Sequence, residues 1–201
     1  GMVPPPGTVR GRILLDGRDL LSLKPRQWLD VRGQEAALVM QDPFTSLNPM
    51  MRAGDQIAEV LRLHQGKSAR QAWDLSIEML DKVGVPAPES SARKYPHQMS
   101  GGQRQRVVIA IAFACRPKLL IADEPTTALD VTLQAQILRL IRKLQDEEGT
   151  AVMLISHDIG VIASLSRRIA VYYAGRVVET GPASSVLRQP HHPYTEALLA
   201  A

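Results

Sequence analysis

Two adjacent carboxylates, Asp123 and Glu124, follow an apolar run at residues 118–122 and precede Pro125. A run of that length and composition predicts a short buried strand, and the proline ends its hydrogen-bond ladder. Carboxylates at the carboxyl end of a core strand lie where open α/β sheets bind their ligands. The acid pair is therefore a candidate ligand site, although alone it could also be an acidic turn.

A second candidate site lies at the start of the helix that precedes this strand. Ser100 and Gln103 have the spacing of a capping box, which predicts a helix that continues through the apolar run at 107–115. Gly101 and Gly102 lack Cβ atoms, so another backbone or a phosphate can approach closely. Because a helix N-terminus offers free amides and a positive dipole end, this tip is predicted to bind an anion.

Composition narrows the functional classes. The chain has 201 residues, of which 45% are hydrophobic, enough for one domain with a sizeable core. Lys and Arg number 24 against 20 Asp and Glu, but this excess is scattered and aromatic residues make up only 4%, so a nucleic-acid partner is not expected. No apolar run is long enough for a membrane span, and Cys115 is expected to be buried and inert.

The remaining patterns predict alternating strands and helices. Strands are predicted at residues 12–15, 36–40, 118–122 and 151–156, and helices at 25–31, 51–64, 69–83, 132–148 and 159–166. Residues 169–173 and 176–179 predict an antiparallel hairpin at the edge of the sheet, and residues 84–92 a Pro- and Ser-rich connector.

Several motifs in a fixed order resemble the ATP-binding subunit of ABC transporters. They are a glutamine loop at 39–43, the signature at 100–103, Walker B at 119–124, the D-loop at 128–130 and the switch histidine motif at 156–158. One such motif would be weak evidence, but the ordered set covers nearly the whole chain. Residues 43–49 and 192–195 further resemble the dipeptide, oligopeptide and nickel importer branch.

The resemblance implies an α/β P-loop NTPase fold of the ABC type, with a mostly parallel core sheet and an α-helical subdomain. Residues 1–43 and 117–201 would form the remaining RecA-like catalytic core with a C-terminal tail. Residues 44–116 would form the helical subdomain and end in the signature helix. The N-terminal strands and the P-loop would be absent, the missing strand being expected beside residues 36–40 and 118–122.

The resemblance also implies ATP and Mg²⁺ as cofactors and assigns catalytic roles. Asp123 and Gln41 would hold Mg²⁺, and Gln41 would also contact the attacking water. Glu124 would accept a proton from that water, and His157 would contact the γ-phosphate and hold the water in line. Taken alone, Gln41 could be a polar residue at a strand end, and His157 a helix-entry residue near Asp158.

The nucleotide-binding residues include a set that would act across a dimer. Ser100, Gly101, Gly102 and Gln103 would cap the γ-phosphate bound by the partner subunit, and Asp130 would communicate across the interface. The resemblance thus implies two partners, a second ABC ATPase subunit (identical or not) and integral membrane permease subunits. The chain would be peripheral, at the cytoplasmic side of a prokaryotic cell membrane.

Gly66-Lys67-Ser68 reads like the end of a P-loop but lacks its context. A P-loop needs another glycine five residues before this tripeptide, where the chain has Leu61. The preceding residues have a helical pattern rather than that of a strand. We therefore predict a turn between helices, with Ser68 as the N-cap.

The resulting interpretation is an ABC-type ATPase subunit that energises import of peptides or a related solute such as nickel. Without a P-loop, the 201-residue chain is expected to be inactive alone. Two alternatives remain open, a soluble ABC-type ATPase and a non-catalytic module that only donates its signature motif in trans.

Overall fold

The computed structural model describes residue 3, residues 6–127 and residues 129–200, and within these ranges the strands form three separate sheets. The strands are β1 (Leu14–Leu15), β2 (Arg18–Asp19), β3 (Ala36–Val39), β4 (Leu119–Asp123), β5 (Ala151–Ile155), β6 (Arg168–Tyr173) and β7 (Arg176–Pro182). β1 and β2 form a small antiparallel hairpin, whose turn uses Asp16 and Gly17 at positive φ.

The parallel sheet has the order β3–β4–β5. In its register, Ala122 of β4 lies beside Val39 of β3 and Leu154 of β5. Because β4 is paired along both edges, no further strand can lie beside it. The prediction that a strand missing from this chain would be next to residues 118–122 is therefore wrong.

The β6–β7 hairpin forms as predicted, but not at the edge of the parallel sheet. β6 and β7 pair only with each other among the described strands. A cavity of about 1020 Å³ separates β5 from β6, lined by apolar side chains that include Val152, Leu154, Ile169 and Val171. β5 and β6 are therefore separated by this cavity and do not pair with each other.

Ten helices surround these strands within the described ranges. They are α1 (Gln27–Val31), α2 (Pro43–Ser46), α3 (Ala53–Gln65), α4 (Ala69–Lys82), α5 (Pro88–Ala92), α6 (Gly101–Phe113), α7 (Val131–Glu148), α8 (Ile159–Leu165), α9 (Ala183–Arg188) and α10 (Pro193–Ala200). The predicted connector at residues 84–92 contains α5, whose first residue Pro88 has the fixed φ that suits a helix start. None of the described helices combines the length and apolar character that crossing a bilayer requires.

A single core packs helices α3, α4, α6 and α7 against the parallel sheet. One cluster of buried side chains includes Ile57 of α3, Leu80 of α4, Phe113 of α6, Leu120 of β4 and Ile141 of α7. α6 is buried around most of its circumference, which explains its uniformly apolar second half. The division of the chain at residues 44 and 116 stays a prediction.

Candidate functional site

The candidate site lies at the carboxyl edge of the parallel sheet. Val39, Ala122 and Leu154 are level in the strand register, so Gln41 and Glu124 each lie two residues beyond that level. His157 lies three residues beyond it, after the end of β5. Three residues predicted from different parts of the sequence therefore emerge at one edge, where parallel sheets bind ligands.

Glu124 and His157 are in direct contact. The Nδ1 atom of His157 lies 2.7 Å from Oε1 of Glu124, and the backbone N–H of His157 donates to the same oxygen at 3.1 Å. The Glu124 side chain is 17% exposed and the His157 side chain 79% exposed. With Nδ1 bonded to the carboxylate, Nε2 of the imidazole is left to face a ligand or solvent.

The turn after β4 fixes the position of Glu124. Glu124 has a φ of 49°, unusual for a residue with a Cβ, and its N–H donates to the carbonyl of Ile155 at 2.9 Å. The hydroxyl of Thr127 donates to Oε2 of Glu124 at 2.6 Å. Both carboxylate oxygens are thus hydrogen-bonded by residues of the site. Sequence patterns give no signal for Thr127, because its contact depends on this unusual turn.

The contacts also shift the acid–base behaviour of the pair. Burial by itself would raise the pKa of Glu124, but the hydrogen bonds from Thr127 and His157 lower it below its usual value. The hydrogen bond to Glu124 and the negative charge of that carboxylate raise the pKa of His157. Both shifts favour an ion pair of carboxylate and imidazolium.

The residue after His157 anchors the next helix. Oδ1 of Asp158 accepts from the backbone N–H of Val161 at 3.1 Å, which caps α8. The amide of Gln134 on α7 donates to Oδ2 of Asp158 at 3.3 Å. The hydrogen bond from Val161 lowers the pKa of Asp158, so this carboxylate stays charged beside the imidazole. The backbone at His157 is therefore fixed by two sets of contacts, its own N–H to Glu124 and those of Asp158 with α7 and α8.

The helix tip at Ser100 has the predicted capping box. The N–H of Gln103 donates to the Ser100 hydroxyl at 3.3 Å, and the N–H of Ser100 donates to the Gln103 side chain at 3.1 Å. Gly102 is buried, and a Cβ there would lie 2.6 Å from the side chain of Leu133 on α7. The absence of a side chain at Gly102 thus lets Leu133 of α7 pack directly against α6.

This tip lies beside the start of α7 rather than on Glu124. The carboxylate of Asp130 accepts from the N–H of Leu133 at 2.9 Å and caps α7. Ala128 of the D-loop motif lies outside the described residues. Gly102 and Asp130 are therefore brought into one neighbourhood through Leu133, close to Ser100 at the start of α6.

A buried amide links the two parts of the site. Gln105 of α6 is 1% exposed, and its Nε2 donates to the carbonyl of Pro125 at 2.7 Å. Pro125 directly follows Glu124, so the helix that presents the tip also supports the turn that presents the acid. Gln105 lies two residues after the signature motif, but its spacing alone did not indicate this contact.

The side-chain oxygens at the sheet edge are of the chemical type that Mg²⁺ binds. Asp123 and Gln41 follow neighbouring strands and offer carboxylate and amide oxygens, the hard ligands that Mg²⁺ prefers. In the described ranges, no three His, Cys, Asp or Glu side chains gather around a metal-sized point. The ion would therefore keep most of its ligands as water and phosphate.

The Gly66-Lys67-Ser68 turn is confirmed as a connection between helices. Gly66 ends α3 in the left-handed conformation at a φ of 63°. Ser68 caps α4 by accepting from the N–H of Gln71, and Gln71 completes a capping box. The tripeptide therefore does not form a phosphate-binding loop.

Comparisons with known proteins identify what the chain resembles. Residues 2–127 match the family model described as ABC transporter. The chain is 51% identical over 199 residues to the oligopeptide transport ATP-binding protein OppD of Bacillus subtilis, covering 99% of this chain and 56% of that protein. It is 49% identical over 202 residues to the dipeptide transport ATP-binding protein DppD of Escherichia coli, covering 100% of this chain and 62% of that protein.

Solved structures show the same fold. The ATP-binding cassette MJ0796 in a dimeric post-hydrolysis state with ADP and Pi matches with a TM-score of 0.76 at 30% identity. The match covers 87% of this chain and 74% of that one. The curated relatives named above are longer, and the chain spans a little over half of their length.

Proposed function

The chain belongs to the ABC transporter family, and from that premise we propose that it is the ATP-binding and ATP-hydrolysing part of a subunit that energises peptide import. The contact of Glu124 with His157 at the carboxyl edge of the sheet carries this proposal. It gives an ATPase a base and a polar contact for phosphate side by side. The similar proteins are named as oligopeptide and dipeptide transport proteins, which favours oligopeptides or dipeptides as the solute. A related solute such as nickel is the alternative within the same importer branch.

Hydrolysis of ATP requires a water held in line and charge stabilisation on the transferred phosphoryl group. In the proposed mechanism Glu124 accepts the proton of that water, since its carboxylate is ionised and partly exposed. His157 holds the γ-phosphate and the water through the imidazole edge not bonded to Glu124. Asp123 and Gln41 would hold Mg²⁺, which supplies charge neutralisation at the phosphate oxygens when bound.

The other nucleotide contacts are proposed to act between subunits. Ser100, Gly101, Gly102 and Gln103 would cap the γ-phosphate of ATP held by a second ABC ATPase subunit. Support comes from the capping box that begins α6, from the open space beside Gly101 and from the dimeric state of the similar cassette. Asp130, beside this tip, would sense the same interface.

The assembly is proposed to include integral membrane permease subunits. The subunit would then be peripheral, at the cytoplasmic face of the cell membrane. The 201-residue chain by itself is proposed to bind Mg-ATP weakly and not to hydrolyse it, because its sequence lacks the glycine spacing of a P-loop. Calorimetric titration with Mg-ATP tests this, and micromolar affinity for the pure chain would contradict it.

Peptide uptake tests the proposed function. Cells from which the intact gene has been deleted should fail to accumulate a labelled di- or oligopeptide, and the wild-type gene should restore uptake. A Glu124→Gln gene should not restore it, because the base is lost while the amide keeps the shape. Unchanged uptake of peptides and nickel in the deleted strain would favour a soluble ATPase or a non-catalytic module.

A further inference from the structure

The hydroxyl of Thr127 has a contact that the turn itself does not need. The turn after β4 is already closed by the backbone, because the N–H of Thr127 donates to the carbonyl of Glu124 at 3.2 Å. The hydroxyl instead donates to the Glu124 carboxylate at 2.6 Å. Glu124 is further fixed by its backbone bond to Ile155 and by the support of Pro125 from Gln105. The Thr127 hydroxyl therefore acts on the carboxylate, not on the chain.

The two oxygens of Glu124 are occupied unequally. Oε1 faces two donors, the backbone N–H and the Nδ1 of His157. Among the residues that the structure describes, Oε2 accepts only from Thr127. A carboxylate has about four lone-pair sites, two on each oxygen. Oε1 is thus saturated by its two donors, and Oε2 keeps one acceptor site for a water molecule.

We propose that Thr127 is a positioning residue for ATP hydrolysis, which fixes the rotation of the Glu124 carboxylate so that Oε2 accepts the proton of the attacking water. This inference rests on the proposed function of Glu124. In the step, a water O–H bond breaks and its proton passes to Oε2. The water oxygen forms a bond to the γ-phosphorus, and the bond from that phosphorus to the bridging oxygen breaks as ADP leaves.

A series of hydroxyl deletions tests the role in the intact protein assembled with its membrane partners. Thr127→Val should lower kcat about 10-fold to 100-fold, the range expected for one hydrogen bond to a charged group. The KM for ATP should stay the same, because the bond does not hold the nucleotide. Thr127→Ser keeps the hydroxyl and should restore kcat.

Thr150→Val is the matched control. The Thr150 hydroxyl donates to the carbonyl of Pro117 at 2.8 Å, at the opposite end of the sheet. This variant removes the same group and should leave kcat unchanged even if it lowers stability. Equal kcat losses in Thr127→Val and Thr150→Val, or a failure of Thr127→Ser to restore kcat, would overturn the proposal.

A crystal structure of the Thr127→Val chain provides a readout that is independent of ATP hydrolysis. The Glu124 carboxylate should rotate about its contact with His157, because Oε2 has lost its donor. A carboxylate that stays in place would overturn the inference about Thr127. An absence of ATPase activity in the wild-type assembly would instead overturn the proposed function, so the two failures are distinguishable.

Discussion

At the scale of single residues, the site depends on backbone geometry as much as on side-chain type. Glu124 follows β4 in a left-handed conformation, and its side chain contacts His157, two residues after the end of β5. A β-branched residue at this position would strain the turn. The acid and the histidine are 33 residues apart in sequence, yet the register of two parallel strands brings them together.

The first prediction concerns the ionisation of His157. Its pKa is raised by the hydrogen bond to Glu124 and by the charge of that carboxylate, so Glu124→Gln should move the pKa of His157 down toward its usual value. The contribution of this raised pKa to stability is present at low pH and is lost as pH rises through the folded-state pKa. Titration of the His157 ring by NMR in both chains measures the shift.

A His157 pKa that does not change with Glu124→Gln would show that the contact is not formed in solution.

The sequence predicts the residues with strong motif signals and misses those that support them. Glu124 and His157 were predicted, and the structure places them in contact. Thr127 and Gln105 could not be predicted as supports, because each acts through a hydrogen bond that exists only in the folded turn. The roles of Glu124 and His157 in ATP hydrolysis stay proposals.

At the scale of elements, α6 connects the helix tip to the acid turn. The second prediction is that Gln105→Ala lowers the free energy of unfolding by about 2–4 kcal/mol, since it leaves a small cavity and an unpaired Pro125 carbonyl. Chemical denaturation of the 201-residue chain measures this. Gln34→Ala makes the same truncation at an exposed position and should cost less than about 0.5 kcal/mol. Equal losses in the two variants would contradict the supporting role of Gln105.

The third prediction concerns the open edge of β5. Met153 and Ile155 are 52% and 46% exposed, and their strand is paired along one edge only in the described part of the chain. Such an edge promotes association with other strands, and a lysine opposes it. Met153→Lys should therefore weaken this association. In sedimentation measurements at rising protein concentration, more of the variant than of the wild-type chain should stay monomeric.

Leu63→Lys is the control for this effect. Leu63 is 74% exposed on α3, away from the edge of β5, and its replacement adds the same charge. It should leave association unchanged. If both variants reduce association equally, net charge rather than the strand edge is responsible.

Elements were easier to predict from sequence than their arrangement. The strands at β4 and β5 and the helices α3, α4 and α7 lie within two residues of their predicted bounds, because their periodicities are strong. The position of the β6–β7 hairpin was wrong, because strand order depends on contacts between distant segments. The short helix α5 was missed because Pro and Ser are typical of loops as well as of helix starts.

At the scale of the whole molecule, ion pairs and hydrogen bonds join α4 and α6 to α7, in addition to the buried core. Lys82 at the end of α4 forms ion pairs with Glu147 and Glu148 of α7, and Arg116 also pairs with Glu148. Arg106 of α6 donates to the carbonyl of Val83 and to Gln136 of α7. These contacts fix α4 and α6 against α7, whose N-cap is Asp130.

The proposed function depends on Glu124 as the general base for ATP hydrolysis. The most direct measurement is the ATPase rate of the intact assembled transporter with Glu124→Gln, beside its affinity for Mg-ATP. We predict that hydrolysis falls by about 100-fold or more while affinity is unchanged, because general-base catalysis is lost and binding is not. Hydrolysis by Glu124→Gln at the wild-type rate would contradict the central claim.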